Sequence, residues 1–404
     1  MPSSSSKLAA LFWVLVLTIA SVTTSAAQQG HSPFAATPVA ETIPGWQVAA
    51  VTPLELEGTP LTLSPDGSFI AGVSVDGGFC IWSVPDLHPT CAGSDLDIDP
   101  DSLAWAPDNS AVAFSVLAYR FIIDGDIFVF ELADGNIRNL TDDGLVRMVV
   151  RDEEESSVPV DVMPAWTPDS AEIVFSRTVY DDREERSNEL MRIPRTGGEP
   201  ETLLSLRGLP GSIFLPMRVL ADGSVLYTVG FNDQSDPRNG IWRLSLQGRA
   251  TQLIPGDADA EFPLPVINGV WEGNGDLRIV GHSPVLLQQI ELQSPVAFTW
   301  SSVTGKAEPI IAGIDSATQR VYSGEFSPDG GTLLILERSV DLWPQVSLYG
   351  PTTSSVVLPE ISSELGPGRP NFTFIDWSSA NLVLVPPVLT DGGYLLEMEL
   401  STPS

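Results

Sequence analysis

One short motif recurs along the whole chain and limits what the chain can fold into. It consists of an apolar residue, a variable residue, Pro, Asp and a small residue, followed by an apolar stretch, and its clearest copies begin at Leu61, Leu103, Pro164 and Gly324. Proline presets φ at the first turn position and the aspartate side chain bonds back to the backbone, so the motif predicts a tight turn between two strands. Recurrence of one such unit is the signature of a repeat architecture.

Three less regular copies begin at Arg218, Val270 and Asp376, which makes seven copies in total. Successive copies lie between 42 and 61 residues apart. Because one apolar residue precedes each turn, we expect these anchor residues to pack in the core between neighbouring repeats rather than to stack on a ligand. The seven anchors are Leu63, Trp105, Trp166, Val219, Trp271, Phe326 and Trp377.

A third apolar strand follows each copy, as in Ile127–Phe130, and copies two to five add a polar turn and a fourth strand, as in Ile137–Thr141. Four short antiparallel strands repeated around an axis form the blade of a β-propeller. The last copy stops at its third strand, Tyr394–Leu400, whereas Trp46–Val51 precedes the first copy as a spare strand. The sequence therefore predicts an all-β chain whose residues 45–404 form a single β-propeller of seven four-stranded blades, with the N-terminal strand closing the last blade.

The turn motif and the apolar strand after it resemble the WD-repeat-like blades of TolB-type propellers. The same blade occurs in the propeller half of prolyl-oligopeptidase-type peptidases. The resemblance covers roughly Leu61 to Leu400. It implies a propeller fold, but it says little about function because the motif is a structural device.

The first residues have the pattern of a secretory signal. Lys7 precedes the apolar run 8–20, and small residues follow up to Ala27. We expect residues 1–27 to be a cleaved signal peptide and residues 28–44 to be a tether rich in Pro, Ala and Thr. An uncleaved membrane anchor is the alternative, although the apolar run is short for a membrane span. Export predicts a periplasmic, cell-envelope or extracellular protein.

Two cysteines, Cys80 and Cys91, flank a strand and a proline-rich turn. In an exported chain, two cysteines most simply form one disulfide, and partners across a hairpin can satisfy its geometry. Two buried free thiols are the alternative.

The charge balance narrows the range of partners. The chain has 20 Lys+Arg against 52 Asp+Glu, a formal net charge of −32. Such a surface repels nucleic acid and anionic lipid, so we expect neither as a ligand, and any membrane contact would come only from an uncleaved signal. The charge serves either solubility alone or the attraction of cations and basic partners.

The sequence contains no recognisable catalytic or metal-binding signature. A Gly-x-Ser-x-Gly elbow is absent, no room for a hydrolase domain follows Leu400, and His31, His88 and His282 lie far apart. The alternating acids of 95–101 suggest a Ca²⁺ loop, but Pro100 stands where such a loop needs Gly. We therefore expect a non-catalytic protein without cofactor or metal. A hydrolase acting on carbohydrate or peptide through carboxylates in the central funnel is the alternative, since a sequence cannot place side chains across blades.

Long connections are predicted at one end of the ring, between second and third strands and between blades. Long loops on a rigid scaffold are where binding usually resides. We expect a monomer whose loops bind a protein partner with a mixed or basic surface. The candidate partner-binding residues are Tyr119, Arg120, Arg151, Tyr180, Asp181, Asp182, Arg183, Arg186 and Arg238.

Overall fold

A computed structural model of the chain describes most of the predicted propeller. The described residues are 45–56, 58–84, 86–93, 96–117, 125–144, 159–180, 186–207, 213–231, 235–255, 266–282, 298–309, 319–339, 344–350, 355–357, 375–386 and 393–400. Within these ranges, no helix is both long enough and apolar enough to cross a membrane.

Short strands dominate the described residues, as the turn spacing predicts. The strands are β1 (Trp46–Leu54), β2 (Gly58–Leu63), β3 (Phe69–Ser74), β4 (Phe79–Ser83), β5 (Pro89–Ala92), β6 (Ala104–Trp105), β7 (Ala111–Leu117), β8 (Gly125–Glu131), β9 (Asn136–Asn139), β10 (Val160–Trp166), β11 (Glu172–Tyr180), β12 (Arg186–Pro194), β13 (Glu201–Arg207), β14 (Ile213–Val219), β15 (Val225–Gly230), β16 (Gly240–Leu244), β17 (Ala250–Pro255), β18 (Val266–Gly273), β19 (Asp276–His282), β20 (Phe298–Ser301), β21 (Lys306–Pro309), β22 (Gln319–Phe326), β23 (Leu333–Ser339), β24 (Pro344–Tyr349), β25 (Ser355–Val357), β26 (Asp376–Trp377), β27 (Leu382–Val385) and β28 (Gly393–Leu400). A short 3-10 helix, Pro100–Ser102, precedes β6.

Consecutive strands pair in antiparallel order, and we number the repeats one to seven by the copies of the turn motif. Repeats one, four, five and six are four-stranded sheets: β2–β5, β14–β17, β18–β21 and β22–β25. Repeats two (β6–β9) and three (β10–β13) belong to one eight-stranded sheet, joined by a parallel bridge between Gly125 and Val160. Repeat seven consists of β26, β27, β28 and β1. This radial series of antiparallel sheets is the all-β propeller that the sequence predicts.

The N-terminal strand closes the last sheet, as predicted. Strand β1 pairs antiparallel with β28, with Trp46 opposite Leu400 and Leu54 opposite Gly393. Because β1 is the outer strand of a sheet that begins with β26, the two ends of the propeller are held in one sheet. The closure leaves no broken edge between the last repeat and the first.

The first strand of each repeat forms the inner wall of the ring. Strand β2 contacts both β6 and β26, and β22 contacts both β18 and β26. Strands β14 and β18 are joined by a hydrogen bond from Arg218 Nη1 to the Val270 carbonyl at 2.9 Å. Since the first strands meet around the ring, their side chains lie closest to its axis.

The anchor residues pack between repeats, which confirms their predicted role. Leu63, Trp105, Trp166 and Phe326 are all buried. Trp166 lies against the side chains of repeat two, and its indole N–H donates to the Ala104 carbonyl at 2.9 Å. Burying large apolar side chains of this kind stabilises each repeat interface by roughly 1.5–3 kcal/mol per residue.

The anchor predicted for repeat five is wrong by one residue. Val270, not Trp271, is the buried residue that packs against repeat four, whereas Trp271 packs towards repeat six. Its indole N–H donates to the Pro328 carbonyl at 3.0 Å. Repeat five has a two-residue turn, Asn274–Gly275, in place of the Pro-Asp turn. The shorter turn shifts the alternation of side chains by one position, and a shift of one moves every side chain to the other face.

The turns themselves explain the residues that follow Pro-Asp. Gly67 has φ of 76°, and at the same place Asn109 has φ of 62° and Ser170 has φ of 59°. Asp66 Oδ1 accepts hydrogen bonds from the Ser68 backbone N–H at 2.9 Å and the Ser64 hydroxyl at 2.8 Å. Glycine adopts this left-handed conformation most easily, and Asn tolerates it better than most residues do.

Cys80 and Cys91 form a disulfide, as predicted. They lie directly opposite each other on β4 and β5. Closing a loop with a sequence separation of 11 contributes roughly 3 kcal/mol in the chain-entropy model. The bridge therefore holds the outer strand of repeat one to its sheet.

Candidate functional site

The residue before each anchor lies on the inner wall and points toward the next repeat. In repeats two and three this residue is Ala104 and Ala165, and in repeat five it is Gly269. These small residues let neighbouring first strands approach closely. The remaining repeats carry polar or charged side chains at the same place: Thr62, Arg218, Glu325 and Asp376.

Two carboxyl groups thus stand on neighbouring first strands. Glu325 on β22 and Asp376 on β26 are both partly accessible to solvent. Burial raises the pKa of Glu325 to about 7, opposed by the positive charge of Arg218 and reinforced by the charge of Asp376. Burial also raises the pKa of Asp376, although its carboxylate accepts a hydrogen bond from the Leu63 backbone N–H at 2.9 Å. Near neutral pH, Glu325 can therefore either donate or accept a proton.

A third carboxyl group, that of Asp101, also has a raised pKa. Asp101 belongs to the 3-10 helix, whose flanking residue Asp99 bonds by its backbone N–H to the Ser115 carbonyl of β7 at 2.9 Å. Burial raises the pKa of Asp101 to about 6, and the nearby charge of Asp99 adds to the effect. Asp99 also accepts a hydrogen bond from the Asp101 backbone N–H at 3.2 Å, so this part of the acidic segment shapes a turn.

Asp161, also on a first strand, has a structural role. It is 1% exposed and accepts two hydrogen bonds from Arg177, from Nε and from Nη2, each at 2.7 Å. The carboxylate of Asp161 raises the pKa of Arg177. This bidentate pair joins β10 to β11, and both oxygens of the Asp161 carboxylate already accept hydrogen bonds from Arg177.

A cleft of about 510 Å³ lies between repeats three and four, at the end of the ring that carries the tight turns. Its walls include the turn of repeat three, Thr167–Asp169, and the turn of repeat four, Ala221–Gly223. A volume of this size falls within the range of ligand-binding pockets. No sequence motif predicts the cleft, because its lining residues come from two separate repeats whose sheets pack against each other.

Most of the predicted partner-binding residues lie outside the described residues. This applies to Tyr119, Arg120, Arg151, Asp181, Asp182 and Arg183. Tyr180 and Arg186 are opposite each other at the paired ends of β11 and β12.

Arg238 is described, and it lies in 235–239, the described end of the connection between β15 and β16. Its guanidinium donates to Asp236 through Nε at 2.9 Å and Nη2 at 2.5 Å, and it lies 4.4 Å from the centroid of the Phe231 ring. The Trp242 indole N–H donates to the Arg238 carbonyl at 2.9 Å. The side chain of Arg238 is still 46% exposed, so the Arg238–Asp236 ion pair is accessible to solvent at this end of the ring.

Several more hydrogen bonds hold the same loop. Asn239 Oδ1 accepts from the Phe231 backbone N–H at 2.6 Å. Gln252 Nε2 donates to the carbonyls of Pro237 at 3.0 Å and Asn239 at 2.8 Å. These bonds hold residues 237–239 against β15 and β17.

Arg218, Glu325 and Asp376 were not predicted as site residues. A signal for them exists: aligned at the position before the anchor, three copies carry charged residues where copies two and three have Ala. In the described part of the chain, no group of three or more His, Cys, Asp or Glu side chains is arranged to hold a metal ion.

Solved structures with the same fold have diverse activities. An oligogalacturonate lyase in complex with manganese is 12% identical, with a TM-score of 0.57, and the match covers 89% of this chain and 96% of that one. A prolyl endopeptidase is 12% identical, with a TM-score of 0.51 and coverage of 88% and 51%. The Cps50 (Swd1) β-propeller domain from Myceliophteria thermophila is 11% identical, with a TM-score of 0.50 and coverage of 88% and 100%. At these identities the likeness shows the propeller fold alone.

No protein-family model matches the sequence, and no curated protein matches it.

Proposed function

We propose that this chain is an exported, non-catalytic, TolB-like propeller of seven blades that binds a protein partner with a mixed or basic surface. The observation that supports the proposal is the segment 235–239, which is held in place by the Arg238–Asp236 ion pair and by Gln252 at the end of the ring where the long connections lie. A preorganised loop on a rigid scaffold binds a protein with little loss of conformational entropy. The net charge of −32 favours partners with basic groups and disfavours nucleic acid.

The binding proposal is tested by crosslinking capture from the exporting cells, with the intact chain as bait. Arg238→Ala, and separately a Gly/Ser replacement of residues 181–186, should each reduce recovery of the crosslinked partner several-fold. Arg249→Ala is the matched control, because Arg249 is an exposed arginine of the same repeat in a tight turn at the opposite end. Recovery should also fall as salt concentration rises. Undiminished capture by both loop variants would exclude these loops as the binding surface.

Export is the second part of the proposal, and it is supported by the N-terminal pattern and by the disulfide. Mass spectrometry of the exported protein should find a mature chain that begins near Gln28. Recovery of the chain with Met1 still attached would instead identify the segment as an anchor.

A second candidate function rests on the carboxyl pair of the inner wall. Glu325 has a pKa of about 7, which suits a general acid, and Asp376 stands on the neighbouring strand. A propeller hydrolase of carbohydrate or peptide would use one carboxyl as the acid and the other as base or nucleophile. Turnover of oligosaccharide or peptide substrates that disappears in Glu325→Gln would favour this candidate. Turnover equal to that of the wild type would remove Glu325 from it.

A further inference from the structure

The cleft between repeats three and four has the length of an extended peptide. On the repeat-three side its lining runs from the turn after β10, across β11 and β12, to Glu201 on β13. On the repeat-four side it includes Val219, Val225 and Leu244 with the turns 221–223 and 245–248. Neighbouring strands lie about 4.8 Å apart, so the cleft crosses about 14 Å, the length of about four extended residues. A slot of this shape fits a strand-like segment better than a compact ligand.

The floor of the cleft is apolar. Val174, Val219, Val225 and Leu244 line it and are themselves buried. Leu246 stands at its edge with 66% of its surface exposed. Because the floor residues are already out of water, an apolar side chain of a bound segment would gain chiefly by covering Leu246.

The rim of the cleft is negatively charged. Four carboxylates line it against one guanidinium, and that guanidinium, on Arg192, is already paired with Glu201 at 2.6 Å and Glu172 at 3.3 Å. Hydrogen bonds from the Thr167 hydroxyl and the Ala171 backbone N–H lower the pKa of Asp169. Even with Arg192 and Arg243 paired to three of these four carboxylates, the rim keeps a net negative charge.

On the opposite wall, Asp222 adds to the negative rim. Burial alone would raise the pKa of Asp222, but hydrogen bonds from Ser224 and the charge of Arg243 bring it below its ordinary value. The carboxylates of Asp169 and Asp222 thus stay ionised at lower pH than an ordinary aspartate does. Complementary charge on an occupant has to be basic.

We propose that this cleft is a second binding site, which takes an extended segment of a partner protein with apolar side chains next to Arg or Lys. The site lies at the tight-turn end of the ring, opposite the long connections, and does not depend on the loop around Arg238. The exposed side chain of Leu246 supplies apolar contact, and the acidic rim selects basic segments against acidic ones.

The test uses fluorescein-labelled synthetic octapeptides and fluorescence anisotropy with the full chain. One peptide has alternating Arg and Leu, a second has Glu in place of each Arg, and a third has Ser in place of each Leu. The Arg/Leu peptide should bind saturably and at least about tenfold more tightly than either of the others. Equal binding of the Arg/Leu and Glu/Leu peptides, or no saturable binding of the Arg/Leu peptide, would overturn the proposal.

Variants place the binding in the cleft. Ala221→Trp puts an indole into the cleft and should abolish binding, whereas Thr304→Trp, in an exposed turn of repeat five, should leave it unchanged. Leu246→Ser changes only an exposed side chain and should weaken binding several-fold, so the test survives if Ala221→Trp does not fold. Glu201→Lys should lower affinity for the Arg/Leu peptide and raise it for the Glu/Leu peptide. Full affinity in Leu246→Ser and unchanged preference in Glu201→Lys would move the binding elsewhere.

Discussion

Single residues on the inner wall have little free space, and Gly269 shows this most directly. A Cβ on Gly269 would lie 2.6 Å from the Gly324 carbonyl oxygen and 2.9 Å from Val280 Cγ1. The neighbouring first strand would have to move, so Gly269→Ala should lower the free energy of unfolding by about 1–3 kcal/mol. Urea denaturation measures the loss. Gly331→Ala is the control, since its Cβ would meet only the Asp329 side chain, at 3.4 Å or more, and an equal loss in both variants would contradict the close approach.

Protonation of Glu325 makes the stability of the folded chain depend on pH. Because its pKa in the folded chain is about 7, the folded state binds a proton between about pH 4.5 and pH 7 that the unfolded state has released. Its contribution to stability is therefore full at low pH and is lost as the pH rises through 7. Glu325→Gln should stabilise the chain at pH 8 by on the order of 1–3 kcal/mol, and by much less at pH 5.

Thermal unfolding at the two pH values measures this difference. Glu199→Gln serves as the control, because Glu199 is an exposed acid in the connection between β12 and β13. A gain of the same size at pH 5 and pH 8 would show that Glu325 is charged in the folded chain at both values.

Among the elements, β1 joins the start of the propeller to its last sheet. It contributes the outer strand of repeat seven, and Trp46 is buried in the cluster between repeats six and seven. Removal of residues 1–54 should broaden the urea transition and lower its midpoint, because the edge of β28 is then unpaired. A chain that lacks only residues 1–44 is the control and should unfold like the full chain. Identical transitions for the two truncations would contradict the role of β1 in closure.

The elements were predictable where the signal is local, and the site was not. The Pro-Asp turn specifies its own geometry through three or four adjacent residues, so the sequence predicts the strands on either side of it. The closing strand follows from the count of strands, and the disulfide from the two cysteines of a chain expected to be exported. The anchor at Trp271 was misassigned because Asn274 and Gly275 form a shorter turn without that signal. The pairing of Glu325 with Asp376, and the cleft between repeats three and four, depend on how separate sheets face each other. The sequence of a single repeat does not determine how its sheet faces the neighbouring sheet.

At the scale of the whole molecule, repulsion among the excess negative charges lowers the stability of the folded state. A net charge of −32 on a chain of 404 residues makes the folded state repel itself. Raising NaCl from about 20 mM to about 300 mM shortens the Debye length and should stabilise the chain by about 1 kcal/mol, or roughly 2–4 °C in Tm. A calorimetric scan measures the shift, with sucrose at equal osmolality as the uncharged control. An equal shift in sucrose would assign the effect to excluded volume instead.

The closing pair of strands also sets the order in which the propeller can be completed. Gln47 and Glu399, joined by a side-chain hydrogen bond at 2.7 Å, are 352 positions apart in the chain. Closure of so long a loop is entropically costly and must follow the assembly of the sheets between them. During synthesis, the first strand waits without its partner until nearly the whole chain has left the ribosome. A chain whose synthesis stops before Gly393 therefore leaves β1 without a partner strand, however many complete sheets lie between.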